Sequence, residues 1–422
     1  GGAKLYSSGA LPYFEEKRQN GAIAYSCGAQ LYSVGAKHVE YSIKVISGVR
    51  RCGKSTLLEM FRDSLLSRGA ENGQTLFINF DDYDNRELLE PDNLHVFIKS
   101  HLCKGKMTYL FLDEIQNVKE FQRVVSSLFL DEMTDIFITG SNAFLLSGEL
   151  ATLLSGRYVE IRMLPLSLSE FIAVNEFEGV PLAQSYRRYI ETSSFPYASA
   201  FGDNKVEVHD YLMGVYSTIV LKDIITRFKI ADSKMLESII RFLFSIIGSP
   251  FSGKKIADYL TSAGRKADPK TIEKYISALQ ESQIIYEARR FDVKGKQQLK
   301  LQEKYYVVDI GMRAMLLGQK SFDVGHILEN VIYLELLRRG YEVFVGKVEE
   351  TEIDFVAQNN FGNTYIQVTA TVRDENTLAR ELRPLQAISD SYPKLILTLD
   401  DDPDADYEGI RRINALDWIM QE

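Results

Sequence analysis

Apolar positions along this chain recur with two different periods, and the change from one to the other marks its organisation. Between residues 43 and 166, short and nearly continuous apolar runs alternate with longer amphipathic stretches. IKVIS, TLFINF (75–80), TYLFLD (108–113), DIFITG (135–140) and YVEIRML (158–164) read as five buried strands. KSTLLEMFRDSLLSRG has apolar residues at i, i+3 and i+4, so it reads as a helix, stopped at Gly69. Strands apolar on both faces, alternating with helices, predict an α/β domain over 42–166: a parallel sheet covered by helices on both sides.

Beyond that segment the pattern changes. Residues 167–235 carry the helical period alone, as a linker or lid region. LESIIRFLFSIIG, SGKKIADYLTSAG and ADPKTIEKYISALQES predict three helices, followed by the strands IIYEARRF and QQLKLQEKYYVV around a DVKGK turn. Helices closed by such a hairpin predict a winged helix-turn-helix over 236–320. Residues 321–422 offer a helix (HILENVIYLELLRRG), three strands (YEVFVG, EIDFVAQ, TYIQVTA), a helix and the strand KLILTLD, a small α/β unit. Residues 1–41 follow neither period and are an uncertain leader.

Composition narrows the picture. A chain of 422 residues is too long for one ordinary core. Its net charge of −9 excludes polycation behaviour, so any nucleic-acid contact must come from a local patch. Cys27, Cys52 and Cys103 show no paired or zinc-type spacing. No apolar run approaches the roughly 18 residues of a membrane span, and the sequence given opens with no basic-then-apolar leader. A cytoplasmic protein without membrane contact is the expectation.

The chemistry concentrates after the first strand. Gly48 to Ser55 satisfies G-x-x-x-x-G-K-[ST] between a strand and a helix. In such a loop Gly48, Val49, Arg50, Arg51, Cys52 and Gly53 turn backbone N–H groups inward. The helix opening at Lys54, Ser55 and Thr56 aims its free N–H groups and dipole into the same hollow, which suits a polyphosphate. Lys54 would reach the β- and γ-phosphates and Ser55 a Mg²⁺ ion. At the end of YLFLDEIQNV, Asp113 suits the metal through water, and Glu114 is placed to orient and deprotonate an attacking water. Ser141 and Asn142 follow the next strand. One of them can bond the γ-phosphate or the water, although Gly-Ser-Asn also suits a turn. Arg157 precedes the fifth strand and supplies either transition-state charge or a surface ion pair.

GVRRCGKSTLL, LFLDEIQNV, ITGSNAFLLSGELATLLSGRYVEI and LPLSLSEF, in this order, resemble the bacterial and archaeal AAA-type ATPases that carry a C-terminal domain of unknown function. The resemblance spans about 43 to 422. It implies a P-loop NTPase fold with Walker A at Gly48–Thr56 and Walker B at Asp113–Glu114. It also implies a sensor at Ser141 or Asn142, and an arginine finger at Arg157. A finger acting in trans would require a homo-oligomer.

Two features bear on the C-terminal part. Residues 251–306 hold 12 Lys and Arg against 7 Asp and Glu. Lys270 and Lys274 lie on the second helix of the expected winged helix, and Lys294 and Lys296 on its wing, where they would meet DNA. The last unit is similar in layout to the PD-(D/E)xK nuclease superfamily, which implies a metal held by carboxylates, here Glu329 and Asp354. The third strand reads Gln367-Val368-Thr369 where that pattern wants Glu-x-Lys, with Lys347 as a substitute cation. A scaffold without cleavage activity is therefore expected. The leading expectation is a Mg²⁺-dependent ATPase whose hydrolysis acts as switch or motor, in contact with DNA. The alternatives are a nucleotide-gated DNA- or protein-binding module with little hydrolysis, and an ATP-regulated DNA nuclease.

Overall fold

A computed structural model describes residues 42–141, 156–251, 253–262, 264, 268–318 and 324–421, without the side chains of 300–302. These form two compact units. The first runs to Pro165, with 195–197 and 281–283; the second comprises the rest of the described chain from Leu166.

In the first unit, β1 (Ile43–Gly48), β2 (Thr75–Asn79), β3 (Thr108–Asp113), β4 (Thr134–Gly140) and β5 (Tyr158–Met163) form one parallel sheet in the order β2-β3-β4-β1-β5. The α/β reading of this segment agrees with that sheet, and the five strand positions match to within a residue or so at each end. Strand residues alternate between faces, and each face finds a different partner. Ile43, Val45, Ile78, Leu110, Leu112, Ile136 and Ile138 pack against Leu94 and Ile98 of α2 (Pro91–His101) and Val124, Val125 and Leu128 of α3 (Phe121–Leu128). On the opposite face Phe77, Phe111 and Phe137 stack in a row. Phe61 of α1 (Lys54–Ser67) lies 4.9 Å from the Phe137 ring. Gly69, at φ +103°, ends α1 as its sequence implies.

The second unit begins with α4 (Leu168–Val174), α5 (Leu182–Glu191) and α6 (Lys205–Thr218), the helical stretch expected before 235. Next come α7 (Ser233–Ser245), α8 (Gly253–Ser262), α9 (Pro269–Glu281) and the antiparallel pair β6 (Ile285–Asp292) and β7 (Gln297–Val307). Then follow α10 (Ile310–Leu317), α11 (Val324–Arg338), β8 (Glu342–Val348), β9 (Thr351–Asn359), β10 (Gly362–Thr369), α12 (Glu375–Gln386), β11 (Lys394–Thr398), β12 (Ala405–Tyr407), β13 (Ile410–Asn414) and α13 (Ala415–Met420).

The expected boundary near 320 does not separate compact bodies. β6 pairs in parallel with β8, so the hairpin extends a single eight-stranded sheet, β12-β13-β11-β10-β9-β8-β6-β7. Sequence periodicity marks strands but not which strand lies beside which, and it passed over β12 and β13, short strands near the end of the chain. Among the described residues no helix is long and apolar enough to cross a membrane.

The fully buried Phe111 stacks on both neighbouring rings. Phe111→Ala should cost about 3–5 kcal/mol, visible as a lower urea midpoint by circular dichroism, whereas Ile98→Val on the opposite layer should cost about 0.5–1.5 kcal/mol.

Candidate functional site

The loop between β1 and α1 is shaped by its two glycines for different reasons. Gly53 sits at φ +107°, a left-handed conformation that side chains resist. Gly48 is needed for closeness: a Cβ there would lie 2.5 Å from the Met163 carbonyl oxygen and 2.8 Å from Cys52 Sγ. Val49 and Cys52 are fully buried and anchor the loop from beneath, with the Cys52 amide donating to the Val49 carbonyl at 3.3 Å. Burial pushes the Cys52 thiol up, against the opposing pull of Lys54. Arg51 faces solvent at φ +70°, and Arg50 lies 3.5 Å from Asp81.

Lys54 opens α1 and is only 4% exposed. Its ammonium donates to the carbonyls of Gly48 (3.0 Å) and Val49 (3.1 Å) and lies 4.0 Å from Glu114 Oε1. A buried cation needs such partners. Ser55 and Thr56 follow on the first turn, both half-buried.

Across β4, the Asp113-Glu114 pair is held by a residue that the motif reading missed. The Thr139 hydroxyl donates to Asp113 Oδ1 at 2.5 Å and accepts from the Glu114 amide at 2.9 Å. Thr139 is fully buried and lies on β4, between the strands that carry the loop and the carboxylates. The strand register puts Ile138 beside Leu112, so Thr139 falls next to Asp113. Nothing in DIFITG marks this threonine until the strand order is known. Glu114 itself is left-handed, at φ +55°, a strained setting for a side-chain-bearing residue. The Gln116 amide donates to its Oε2.

Burial pushes the Asp113 carboxyl up, opposed by the Thr139 and nearby Ser55 hydroxyls. Asp113 Oδ2 is buried and has no hydrogen-bond partner among the described residues. An unsatisfied carboxylate oxygen beside a serine hydroxyl, below a loop with a buried ammonium, fits a hydrated Mg²⁺ bound with a polyphosphate. Asp113 and Ser55 would hold that ion, and its charge would offset the negative charge of the phosphates.

The structure gathers Gly48, Lys54, Ser55, Asp113 and Glu114 at one end of the sheet. Ser141, buried, follows β4 directly at that end. Asn142 lies outside the described residues. Arg157 is elsewhere: it is exposed, and its carbonyl accepts from the Ile43 amide at the start of β1. In the register of these parallel strands Tyr158 faces Ile43 and Met163 faces Gly48. Arg157 thus sits at the opposite sheet end, about 16 Å along the strand from the loop of its own chain.

In the second unit Glu329 of α11 and Asp354 of β9 do come together, around Lys304 of β7, not around Lys347. Burial would raise the Glu329 carboxyl, but Lys304, aided by His326 and Tyr306, holds it below its usual value. Burial, then the Glu329 charge, pushes Asp354 up to about 7. The four lysines expected to face DNA, Lys270, Lys274, Lys294 and Lys296, are all exposed. Lys294 pairs with Glu349 at 2.5 Å.

Family models match parts of both units. The model of the AAA domain family matches residues 40–172, and that of a domain of unknown function (DUF8612) matches residues 183–323. An uncharacterized protein of Haemophilus influenzae is 38% identical over 382 residues, 90% of this chain and 94% of that protein. Uncharacterized protein MJ1544 of Methanocaldococcus jannaschii is 30% identical over 378 residues, 84% of this chain and 80% of that protein. Among solved structures, the Walker-type ATPase paby2304 of Pyrococcus abyssi is 14% identical, covering 66% of this chain and 93% of that one with a TM-score of 0.46. AMPPCP-bound DnaA from Aquifex aeolicus is 15% identical, covering 65% and 92% with a TM-score of 0.30. The chain belongs to the family of these Haemophilus and Methanocaldococcus proteins, and its first unit matches the AAA domain family.

Proposed function

We propose that this protein binds MgATP at the Gly48–Thr56 loop and hydrolyses it, with Glu114 as the base that prepares the attacking water. The observation that carries the reading is the convergence of a buried ammonium, a carboxylate 4.0 Å away and an open carboxylate oxygen at one sheet end. Lys54 exchanges its carbonyl partners for phosphate oxygens, which bring the charge its burial demands. Glu114, set apart from Asp113 by its left-handed backbone, points its carboxylate to the loop side and accepts the proton of the water. Ser141 lies at the same sheet end and contacts the γ-phosphate or that water. Arg157 acts, on this reading, on the site of a second copy of the chain, because its own site is out of reach. Hydrolysis then serves as a switch for what the second unit holds.

The exposed lysines on α9 and in the β6–β7 turn favour DNA as the ligand of that second unit, in the manner of a winged helix. The charge is local, as it must be in an acidic chain.

Turnover of MgATP, read beside calorimetric binding, tests the assignment. Lys54→Ala should weaken MgATP binding by about 10- to 100-fold. Glu114→Gln should bind normally while hydrolysis falls about 10²- to 10⁴-fold; unchanged turnover would remove Glu114 from the mechanism. Thr139→Val should lower kcat by about tenfold or more at unchanged nucleotide affinity, and Thr139→Ser should restore it. For DNA, neutralising Lys270, Lys274, Lys294 and Lys296 should flatten the slope of log affinity against log salt by about 0.9 per lost phosphate contact. An unaltered slope would point the second unit to a protein partner.

A further inference from the structure

The carboxylates of the second unit surround a cation that belongs to the chain. Lys304 has 3% of its side chain exposed, and its Nζ lies 2.9 Å from Glu329 Oε1, 2.9 Å from Glu352 Oε1 and 3.5 Å from Asp354 Oδ1. Arg290 adds a second positive charge 3.2 Å from the other oxygen of Glu352. Three carboxylates thus meet two monovalent side-chain cations, which together carry the charge of one divalent ion. We infer that Lys304 is the resident cation of this cluster, taking the place that a nuclease-type metal would need, so that the second unit works as a metal-independent binding scaffold.

The remaining valences of the cluster support this. Glu329 Oε1 also accepts from the Tyr306 hydroxyl at 2.7 Å, and its Oε2 lies 3.4 Å from His326 Nδ1. Asp354 Oδ2 accepts from the Val368 amide at 2.8 Å. Gln367, which stands where the nuclease pattern wants Glu, is committed at both ends: its amide oxygen accepts from the Asp354 amide at 2.8 Å, and its nitrogen donates to Glu381 at 2.7 Å. Backbone closes the remaining side, since a Cβ on Gly248 would lie 2.8 Å from Glu329 Oε2. A divalent ion at the centre of the three carboxylates would have to displace Lys304 from them and leave that buried ammonium unpaired. Among the described residues no group of three or more His, Cys, Asp or Glu is arranged to hold a metal. The contrast with the first unit is direct, because there Asp113 keeps a buried oxygen free.

The lysine is therefore a structural counter-charge whose removal should create the site it fills. In nucleotide-free full-length protein, Mn²⁺ uptake followed by electron paramagnetic resonance should be the same for the parent and Asp354→Asn. Uptake by the parent that is tenfold tighter than by Asp354→Asn, or DNA nicking by the parent that Asp354→Asn lacks, would overturn the inference. Lys304→Met should melt earlier than the parent in EDTA and regain stability with millimolar Mn²⁺, whereas Lys304→Met combined with Asp354→Asn should not regain it. A single variant that melts like the parent in EDTA, or gains no more from Mn²⁺ than the parent does, would equally overturn it. Should Lys304→Met fail to fold, the comparison of the parent with Asp354→Asn still decides. None of these measurements involves ATP, so their outcome is independent of the hydrolysis assignment.

Discussion

A parallel sheet buried on both faces leaves only its strand ends for polar chemistry, and the first unit is organised around that restriction. Each face of β3 and β4 meets packing: isoleucines and leucines against α2 and α3 on one side, stacked phenylalanines against α1 on the other. Charged groups cannot emerge from the middle of such strands without losing hydration. They emerge where the strands stop, and because the strands are parallel, they stop together. Lys54, Asp113, Glu114 and Ser141 meet for this reason. The Thr139 hydroxyl then ties the carboxylate strand to its neighbour and fixes the angle between the two acidic residues.

The two units contain opposite solutions to the same electrostatic problem. In the first, a buried lysine rests on backbone carbonyls, which are neutral and exchangeable, while a carboxylate oxygen stays unsatisfied. Such a site is poised for a ligand carrying negative charge together with a cation. In the second, a lysine is surrounded by three carboxylates whose other oxygens face a histidine, an arginine and a backbone amide, while a tyrosine shares one oxygen with the lysine. Breaking one member of such a buried set is costly because the others lose their counter-charge. The two clusters differ in how far their polar atoms are satisfied, not in residue type.

That distinction also explains why the reading of the last unit from its strands was incomplete. The sequence offers Glu329 and Asp354 as carboxylates of a metal-type layout, from which the Gln-x-Thr strand departs. The cation that faces these carboxylates is not Lys347, on the neighbouring strand, but Lys304, on the far side of a strand pairing, β6 with β8, that joins two segments expected to be separate.

Local chemistry determined the loop and the strands. Glycines at 48 and 53, a lysine at the start of a helix, and runs of apolar residues ending in Asp113 or Gly140 are constraints that act between near neighbours, and they are written as spacing. The position of Arg157 at the opposite sheet end, the bridge from Thr139 to Asp113 and Glu114, and the enclosure of Lys304 were decided only by the tertiary structure. Each depends on strand order, which brings together residues 25 or more positions apart and which the hydrophobic pattern leaves open, because a buried strand looks the same whichever neighbour it pairs with.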